Sequence, residues 1–431
     1  MAEDKVTAIV VGAGPAGSTA AYILAKEGCD VVLVERGTSP GSKNMFGGRM
    51  YSHALKGIMP EFWAEAPVER QVIREVITFL SGERSVSVTS QDMRWAEPSH
   101  HSFTLLRAEF DNWLATKAEE AGALLACGIR VDNLLIRDGR VVGIRAGDDE
   151  MLADVVIAAD GVNSLMAQEA GLAKMFGARQ VAVGVKEIIE LPADTIRQRF
   201  QLEGDNGAAQ LFVGDCSRGM QGGAFLYTNK RSLSLGLVVS AAELVRHGSK
   251  LSDVLEDFKA NSHVAPLINA GEVAEYSAHL VPEAGLQMMP RLFSDGILVI
   301  GDAAGFALNL GYTVRGMDFA IASGEAAARA VVEARARDDF SRAGLRRYHD
   351  LLQQSFVLRE LQAYRKAPRF LENKRIFNAY PKLVTGLASD LFTVDGRPPA
   401  SLFRKILTQT KASGVSVTQV LRDGWKGVRS L

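Results

Sequence analysis

At 431 residues and 47% hydrophobic composition, the chain exceeds what one hydrophobic core usually serves, so two intertwined domains are expected. Its 49 basic and 50 acidic residues nearly cancel to a formal charge of −1, with no long single-sign block before the final quarter, which excludes a nucleic-acid-binding field. Cys29, Cys127 and Cys216 are the only cysteines and lie far apart, which excludes a Cys-x-x-Cys redox pair, a four-cysteine iron–sulfur site and a disulfide framework.

The acidic Glu3 and Asp4 lead straight into a strand pattern without the basic and apolar regions of a signal peptide, so a cytoplasmic protein is expected. No run of about 18 apolar residues is free of charges or turn residues, and a membrane-spanning helix is not expected. Peripheral contact with the inner face of the cytoplasmic membrane stays open. Ala8-Ile9-Val10-Val11 has the unbroken apolar character of a buried parallel strand, and Ser18 to Glu27 reads as an alanine-rich helix. Between them, Gly12-Ala13-Gly14-Pro15-Ala16-Gly17 supplies a tight turn at Gly12, close ligand approach at Gly14 and close helix packing at Gly17. The helix N-terminus beyond this turn attracts negative charge. The next strand, Val31 to Val34, ends on Glu35-Arg36, where a carboxylate can accept the ribose hydroxyls of an adenosine.

In Leu105 to Leu114, apolar residues at helical spacing follow Arg107, which can neutralise a diphosphate, hold the helix to a sheet or be bare surface charge. Ile129-Arg130-Val131 resembles a short strand whose Val131 backbone would meet adenine. Val155 to Ala159 is a buried strand ending on Asp160-Gly161, where the aspartate either binds ligand or caps a helix beginning near Asn163. Ile297 to Ile300 delivers Gly301-Asp302 to a turn of small residues, followed by Gly311, Gly316 and a helix from Met317 to Ala330. A carboxylate there can bond ribityl hydroxyls while the following helix N-terminus faces a flavin. Motifs at opposite ends of the chain suit one long ligand, and non-covalent FAD has that length.

The coarse division is a nucleotide domain of residues 1–80, 102–170 and 275–340, and a sheet domain of 81–101 and 171–274. Strands are expected at Val181 to Glu190, Ala209 to Val213, Gly223 to Thr228 and Ser232 to Val239. Residues 341–431 are expected to be helical and basic, with Arg365, Lys366, Arg404 and Lys426 on faces that dock a partner, lie on anionic lipid or simply cover the core. His53, His100 and His101 show no metal-ligand pattern and read as solvated or core residues. Around the reacting ring, Gly47-Gly48-Arg49 and Leu310-Gly311-Tyr312-Thr313 are the candidate loops, with Arg49 stabilising reduced flavin or meeting substrate.

The order of Gly12 to Gly17, Glu35, Arg107, Asp160-Gly161 and Gly301-Asp302 resembles the glutathione-reductase-type FAD fold of aromatic hydroxylases and geranylgeranyl reductases. The implied class is α/β with an α+β second domain: a Rossmann FAD-binding domain interleaved with an antiparallel-sheet substrate domain, then a helical region. Gly222 to Tyr227, Leu233 to Val239, Gly184-Val185-Lys186-Glu187, Glu283-Ala284-Gly285 and Leu358-Arg359-Glu360-Leu361 resemble electron-transfer-flavoprotein:quinone oxidoreductases of the FixC type. The larger members continue into a cysteine-rich ferredoxin domain, whereas no cysteine follows Cys216 here. The resemblance therefore implies FixA and FixB as electron-transfer-flavoprotein partners, a cluster in a ferredoxin-like FixX subunit, quinone as acceptor and an electron-bifurcating assembly. Tyr227 and Tyr312 are then candidates for the quinone pocket, with core packing the alternative for Tyr227. No catalytic acid or base is assigned, because such a flavin needs only positioning and tuning. The competing readings are a geranylgeranyl-reductase-like or aromatic-hydroxylase-like flavoenzyme, and an escort-type binding protein that has lost FAD.

Overall fold

The structure, a computed structural model, describes residues 5–42 and 48–431. The chain opens with β1 (Lys5–Val11), α1 (Pro15–Lys26) and β2 (Val31–Glu35). α1 begins at Pro15, earlier than the expected Ser18, because proline's fixed φ and missing N–H suit a first helical turn. The chain then crosses to a second sheet for β3 (Arg49–Tyr51), β4 (Val68–Ser81), β5 (Arg84–Gln91) and β6 (Ser102–Leu105). It returns through α2 (Arg107–Glu120), β7 (Leu124–Cys127), β8 (Asn133–Arg137), β9 (Arg140–Ala146) and β10 (Asp149–Ala158).

A second excursion supplies β11 (Val181–Glu190), β12 (Asn206–Gly214), β13 (Gly222–Thr228), β14 (Ser232–Ser240) and β15 (Glu272–Pro282). β16 (Phe293–Ser294) and β17 (Ile297–Val299) complete the first sheet, and a hairpin of β18 (Leu308–Asn309) and β19 (Val314–Arg315) leads into α3 (Met317–Ala336).

The first sheet has a parallel centre in the order β17-β10-β1-β2-β7, and the stretches Ala8–Val11, Val31–Val34, Val155–Ala158 and Ile297–Val299 are buried and apolar because helices cover both faces. Its order reverses between β1 and β10, so the crevice at their C-terminal ends is where such a sheet accepts a nucleotide. The second sheet runs β15-β11-β14-β13-β12-β4-β6-β3, with β5 paired to β4. One face, including Val185, Phe212, Leu226, Leu235 and Leu237, packs in a core with Ile196, Phe200, Val254 and Phe258 from helices Ala193–Phe200 and Leu251–Ala260.

This topology corrects two expectations. β3, β4, β6 and most of β15 fall inside the spans assigned to the nucleotide domain, yet they pair in the second sheet. That sheet is also mixed rather than antiparallel, because β12 runs parallel to β4. A strand's sequence specifies its two faces, whereas its neighbours are chosen by distant segments.

The C-terminal region forms α4 (Ala379–Phe392), α5 (Leu402–Ala412) and α6 (Val417–Val428). α6 is held by its polar side: Asp423, 3% exposed, accepts hydrogen bonds from Asn373, Arg375 and Tyr380 at 2.9, 2.7 and 2.6 Å. Its apolar stripe, Val417, Leu421, Trp425 and Val428, faces outward as a result. The Arg375 hydrogen bond holds the Asp423 carboxyl well below the usual carboxylate range. A depressed carboxylate contributes fully above about pH 4 and loses its contribution as pH falls toward the lowered folded value. Asp423→Ala should cost about 2 to 4 kcal/mol locally. Limited proteolysis should then release α6 at neutral pH, as acid below about pH 4 should in the unmodified chain; an equally resistant variant would show that the anchor lies elsewhere.

Candidate functional site

At the C-terminal end of β1, Gly12 adopts φ +107°, and a Cβ there would lie 2.4 Å from the Ala159 carbonyl oxygen beside β10. A Cβ on Gly17 would lie 1.9 Å from the Gly12 oxygen. Chain packing alone therefore explains both glycines. Gly14 differs, since a Cβ on it would meet nothing within 4 Å and its backbone is extended. It caps α1 without a side-chain hydrogen bond, and the first turn holds no acidic residue. Ala13, Pro15 and Ala16 complete this turn as expected, leaving a bare helix N-terminus with room for close approach.

Glu35 ends β2 with its carboxylate oriented by two amides: Ala13 N–H donates to Oε2 at 3.0 Å and Gly37 N–H to Oε1 at 2.7 Å. The adjoining Arg36 acts electrostatically on Asp160 and His279. The expected strand at 129–131 is absent: β7 ends at Cys127, and Gly128 and Ile129 donate instead to the carbonyls of Gly37 and Glu35. Those bonds tie the segment preceding Val131 to the end of β2, and Val131 packs against the first sheet's core.

Arg107 is 8% exposed, so bare surface charge is excluded. Its Nε and Nη2 donate to both oxygens of Asp111 at 2.9 and 2.7 Å, a buried pair one helical turn apart. Asp302 also acts on Arg107, and Arg107 opposes the upward push that burial gives the Asp302 carboxyl. Asp160 accepts from the Met166 amide at 3.0 Å, the capping role left open by its sequence context. Its Oδ1 is buried with no partner among the described residues, and burial raises its carboxyl. Gly161 follows at φ +76°.

Gly301 and Asp302 open a short turn, Gly301–Ala304, after β17, and the Gly301 amide donates to Ser323 on α3. α3 itself starts only at Met317, with Asp318 already in its first turn, paired to Arg315 and 3.1 Å from His53. Its N-terminus is thus partly compensated by the chain, unlike that of α1. The loop joining β18 to β19 is shaped by Gly311 at φ +81°, whose amide donates to Asn309, and by Leu310 N–H donating to the Thr313 carbonyl. Asn309 donates to Glu283 and Arg315 pairs with Glu360, so two segments quoted for the family resemblance brace this hairpin. Tyr312 at its tip is 45% exposed.

Gly47 lies outside the described residues. Gly48 packs beside Tyr227, whose Cδ2 would be 3.5 Å from an added Cβ. Tyr227 is buried and stacks on Phe225 at 4.9 Å. Arg49, expected to be available to flavin or substrate, is already engaged: Nη1 donates to Glu75 at 3.0 Å, Nε to Ser102 at 3.0 Å, and the guanidinium lies 4.7 Å over the Tyr51 ring. Burial would raise the Glu75 carboxyl, but hydrogen bonds from His101 and Arg49 win and hold it below its ordinary value. His101 is therefore a partner of Glu75, stacked on Trp95 at 4.4 Å. Glu75, Asp318 and Glu283 are partners of these residues that the sequence reading missed, because their contacts are made across long stretches of chain.

The bare N-terminus of α1, the unfilled approach at Gly14, the unpartnered Asp160 Oδ1 and the carboxylates of Glu35 and Asp302 fit FAD. The FAD dependent oxidoreductase family profile matches residues 8–220, and that of the ETF-QO/FixC family C-terminal domain matches residues 367–431. The chain is 50% identical over 431 residues to Protein FixC of Escherichia coli strain K12, covering all of both chains. It is 47% identical, again over all of both chains, to a protein of the same strain named as a probable electron transfer flavoprotein-quinone oxidoreductase. Among solved structures, a geranylgeranyl bacteriochlorophyll reductase-like protein of Thermoplasma acidophilum matches with TM-score 0.73 at 22% identity, covering 98% of this chain and 99% of that one. That likeness shows the fold alone. Asp302→Ala should weaken FAD binding by about tenfold or more, the worth of a hydrogen bond to a charged group; undiminished flavin absorbance per protein after purification and dilution would place the ribityl end elsewhere.

Proposed function

The chain belongs to the ETF-QO/FixC family of FAD-dependent oxidoreductases, and from that premise we propose that it takes electrons from an electron-transfer flavoprotein of the FixA and FixB kind and passes them through FAD to quinone. A ferredoxin-like FixX subunit supplies the iron–sulfur cluster, and the assembly bifurcates electrons. The observation that carries this reading is the full-length likeness to both a FixC protein and a probable flavoprotein-quinone oxidoreductase. Three scattered cysteines support placing the cluster in another subunit.

Bound FAD supplies the capacity to accept and release electrons singly or in pairs. The chain's residues position and insulate it. The α1 N-terminus and Arg107 would hold its diphosphate, Glu35 its adenosine ribose and Asp302 its ribityl chain. Buried Phe225 and Tyr227, beside Gly48, keep water from the second-sheet face and are the walls assigned to the quinone headgroup. Arg49, neutralised by Glu75, orients that wall through Tyr51, and Tyr312 and Thr313 border the site from the β18–β19 loop. No described helix is long and apolar enough to cross a membrane.

The outward stripe of α6, with Trp425 65% exposed, and the exposed Leu402 and Phe403 of α5 are assigned as the docking face for the ferredoxin-like subunit. Arg404, Lys405, Arg422 and Lys426 border it and suit an acidic partner. FAD dependence sets aside the flavin-free escort reading.

The purified assembly, reduced with NADH, should reduce quinone and a ferredoxin or flavodoxin together. Quinone reduction without the second product would remove bifurcation, and no quinone reduction would remove the acceptor assignment. Leu421→Asp with Trp425→Asp should cut recovery of the ferredoxin-like subunit by about tenfold while leaving flavin content unchanged; loss of membrane sedimentation instead, with recovery intact, would assign the face to lipid.

A further inference from the structure

Lys186 is 1% exposed in β11, a strand whose other residues from Val181 to Ile189 are apolar or glycine apart from Glu187. Taking an ammonium out of water costs several kcal/mol unless opposite charge or hydrogen bonds compensate. The register sets Lys186 opposite Ser277 of β15 and Gly236 of β14, with His279 opposite Gly184. Residues two apart share a face, so Lys186, Ser277 and His279 point together. The alternate face, carrying Val185, Leu235 and Leu237, is the one packed against the second domain's helices. Lys186 and its neighbours therefore look the other way, toward the nucleotide domain.

What they face there is charged. Arg107 and Asp111 of α2 act electrostatically on Lys186, as does Glu275 of β15, while Arg107 and Arg36 act on His279. On its far side, the same α2 pair feels both ends of the site: Asp302 acts on Arg107, and Glu35 acts on Asp111. Lys186 thus lies beside a pair set between the ribityl-end carboxylate and the adenosine-end carboxylate. The part of FAD that spans such a midpoint is its diphosphate. His279 Nε2 and Ser277 Oγ are buried with no hydrogen-bond partner among the described residues. Asp111 accepts two hydrogen bonds from Arg107, and Lys186 and the Arg107 guanidinium bring positive charge to this region beside Glu275.

We propose that Lys186 is a cofactor-binding residue that, with His279 and Ser277, closes over the FAD diphosphate from the second sheet, so that both domains grip the cofactor. The proposal rests on FAD binding alone and is independent of the electron acceptor. Burial, reinforced by Arg107, pushes the Lys186 ammonium down to about 8. A neighbouring diphosphate favours the charged form, so binding above that pH takes up a proton. Burial holds His279 at about 4, which makes it a neutral hydrogen-bonding partner throughout the alkaline range. Burial lowers Arg107 but Asp111 raises it further, so it stays charged there. FAD affinity is therefore full below the lysine's value and declines as pH rises through it.

The test uses the full-length holoprotein, diluted to equilibrium from about pH 6.5 to about 9.5, with released FAD read by its fluorescence. The unmodified chain should show Kd rising about tenfold between about pH 7 and about pH 9. Lys186→Met should bind about tenfold or more weakly at pH near 7 and lose the pH dependence, whereas Lys186→Arg should keep affinity within about threefold and also lose it. A Lys186→Met Kd within about twofold of the original overturns the proposal. So does a Lys186→Arg variant that retains the original pH slope, which decides the matter even if Lys186→Met fails to fold by circular dichroism.

Discussion

At Ala16, two glycines from the far end of the chain reach helix α1 so closely that neither tolerates a side chain. A Cβ on Gly324 would lie 2.3 Å from the Ala16 carbonyl oxygen, and one on Gly301 would lie 2.9 Å from the Ala16 Cβ. These contacts press α3 and the Asp302 turn against the helix whose N-terminus is proposed to accept the diphosphate. Without them, Glu35 and Asp302, the carboxylates proposed for the adenosine ribose and the ribityl chain, would belong to separate pieces of structure. The alanine-rich surfaces of α1 and α3 serve the same purpose, since small side chains let helix backbones approach. Stability and cofactor geometry here have one cause.

The second sheet stands in a different relation to the site. It contributes no turn or helix terminus, and its influence comes from which residues its pleat turns toward the nucleotide domain. Tyr227, Phe225, Ser277 and Lys186 share that face by register, and their alternates form a separate apolar core with the outer helices. A buried charge network continues around the edge: Glu75 binds Arg49 and His101, Tyr51 lies under Arg49 and Arg315, and Arg315 pairs with Asp318 and Glu360. Such a network fixes positions at the cost of desolvation, which suits a site that must hold a cofactor still.

At the C-terminus, the usual amphipathic arrangement is turned over. α6 buries an aspartate, held by Arg375, Asn373 and Tyr380, and exposes leucine, tryptophan and valine. An exposed stripe of this kind on an ordered, anchored helix is the basis for the docking face proposed above.

The sequence by itself determined the strand, turn and helix elements proposed to hold the cofactor, because each is local. Gly12 and Gly17 are demanded by a turn and its helix, an apolar run announces a doubly covered parallel strand, and Glu35 and Asp302 stand where such strands end. Tertiary structure alone decided which sheet each strand joined, since β4 meets β12 through a pairing that neither sequence encodes. It decided that Arg49 spends its charge on Glu75, and that Asp318 already occupies the α3 terminus expected to face flavin. It also decided the direction of Lys186: the sequence placed a lysine in an apolar strand, but only the register with β14 and β15 shows which face it takes. Local motifs carry their physics within a few bonds, whereas charge partners and sheet neighbours are set by segments brought together only on folding.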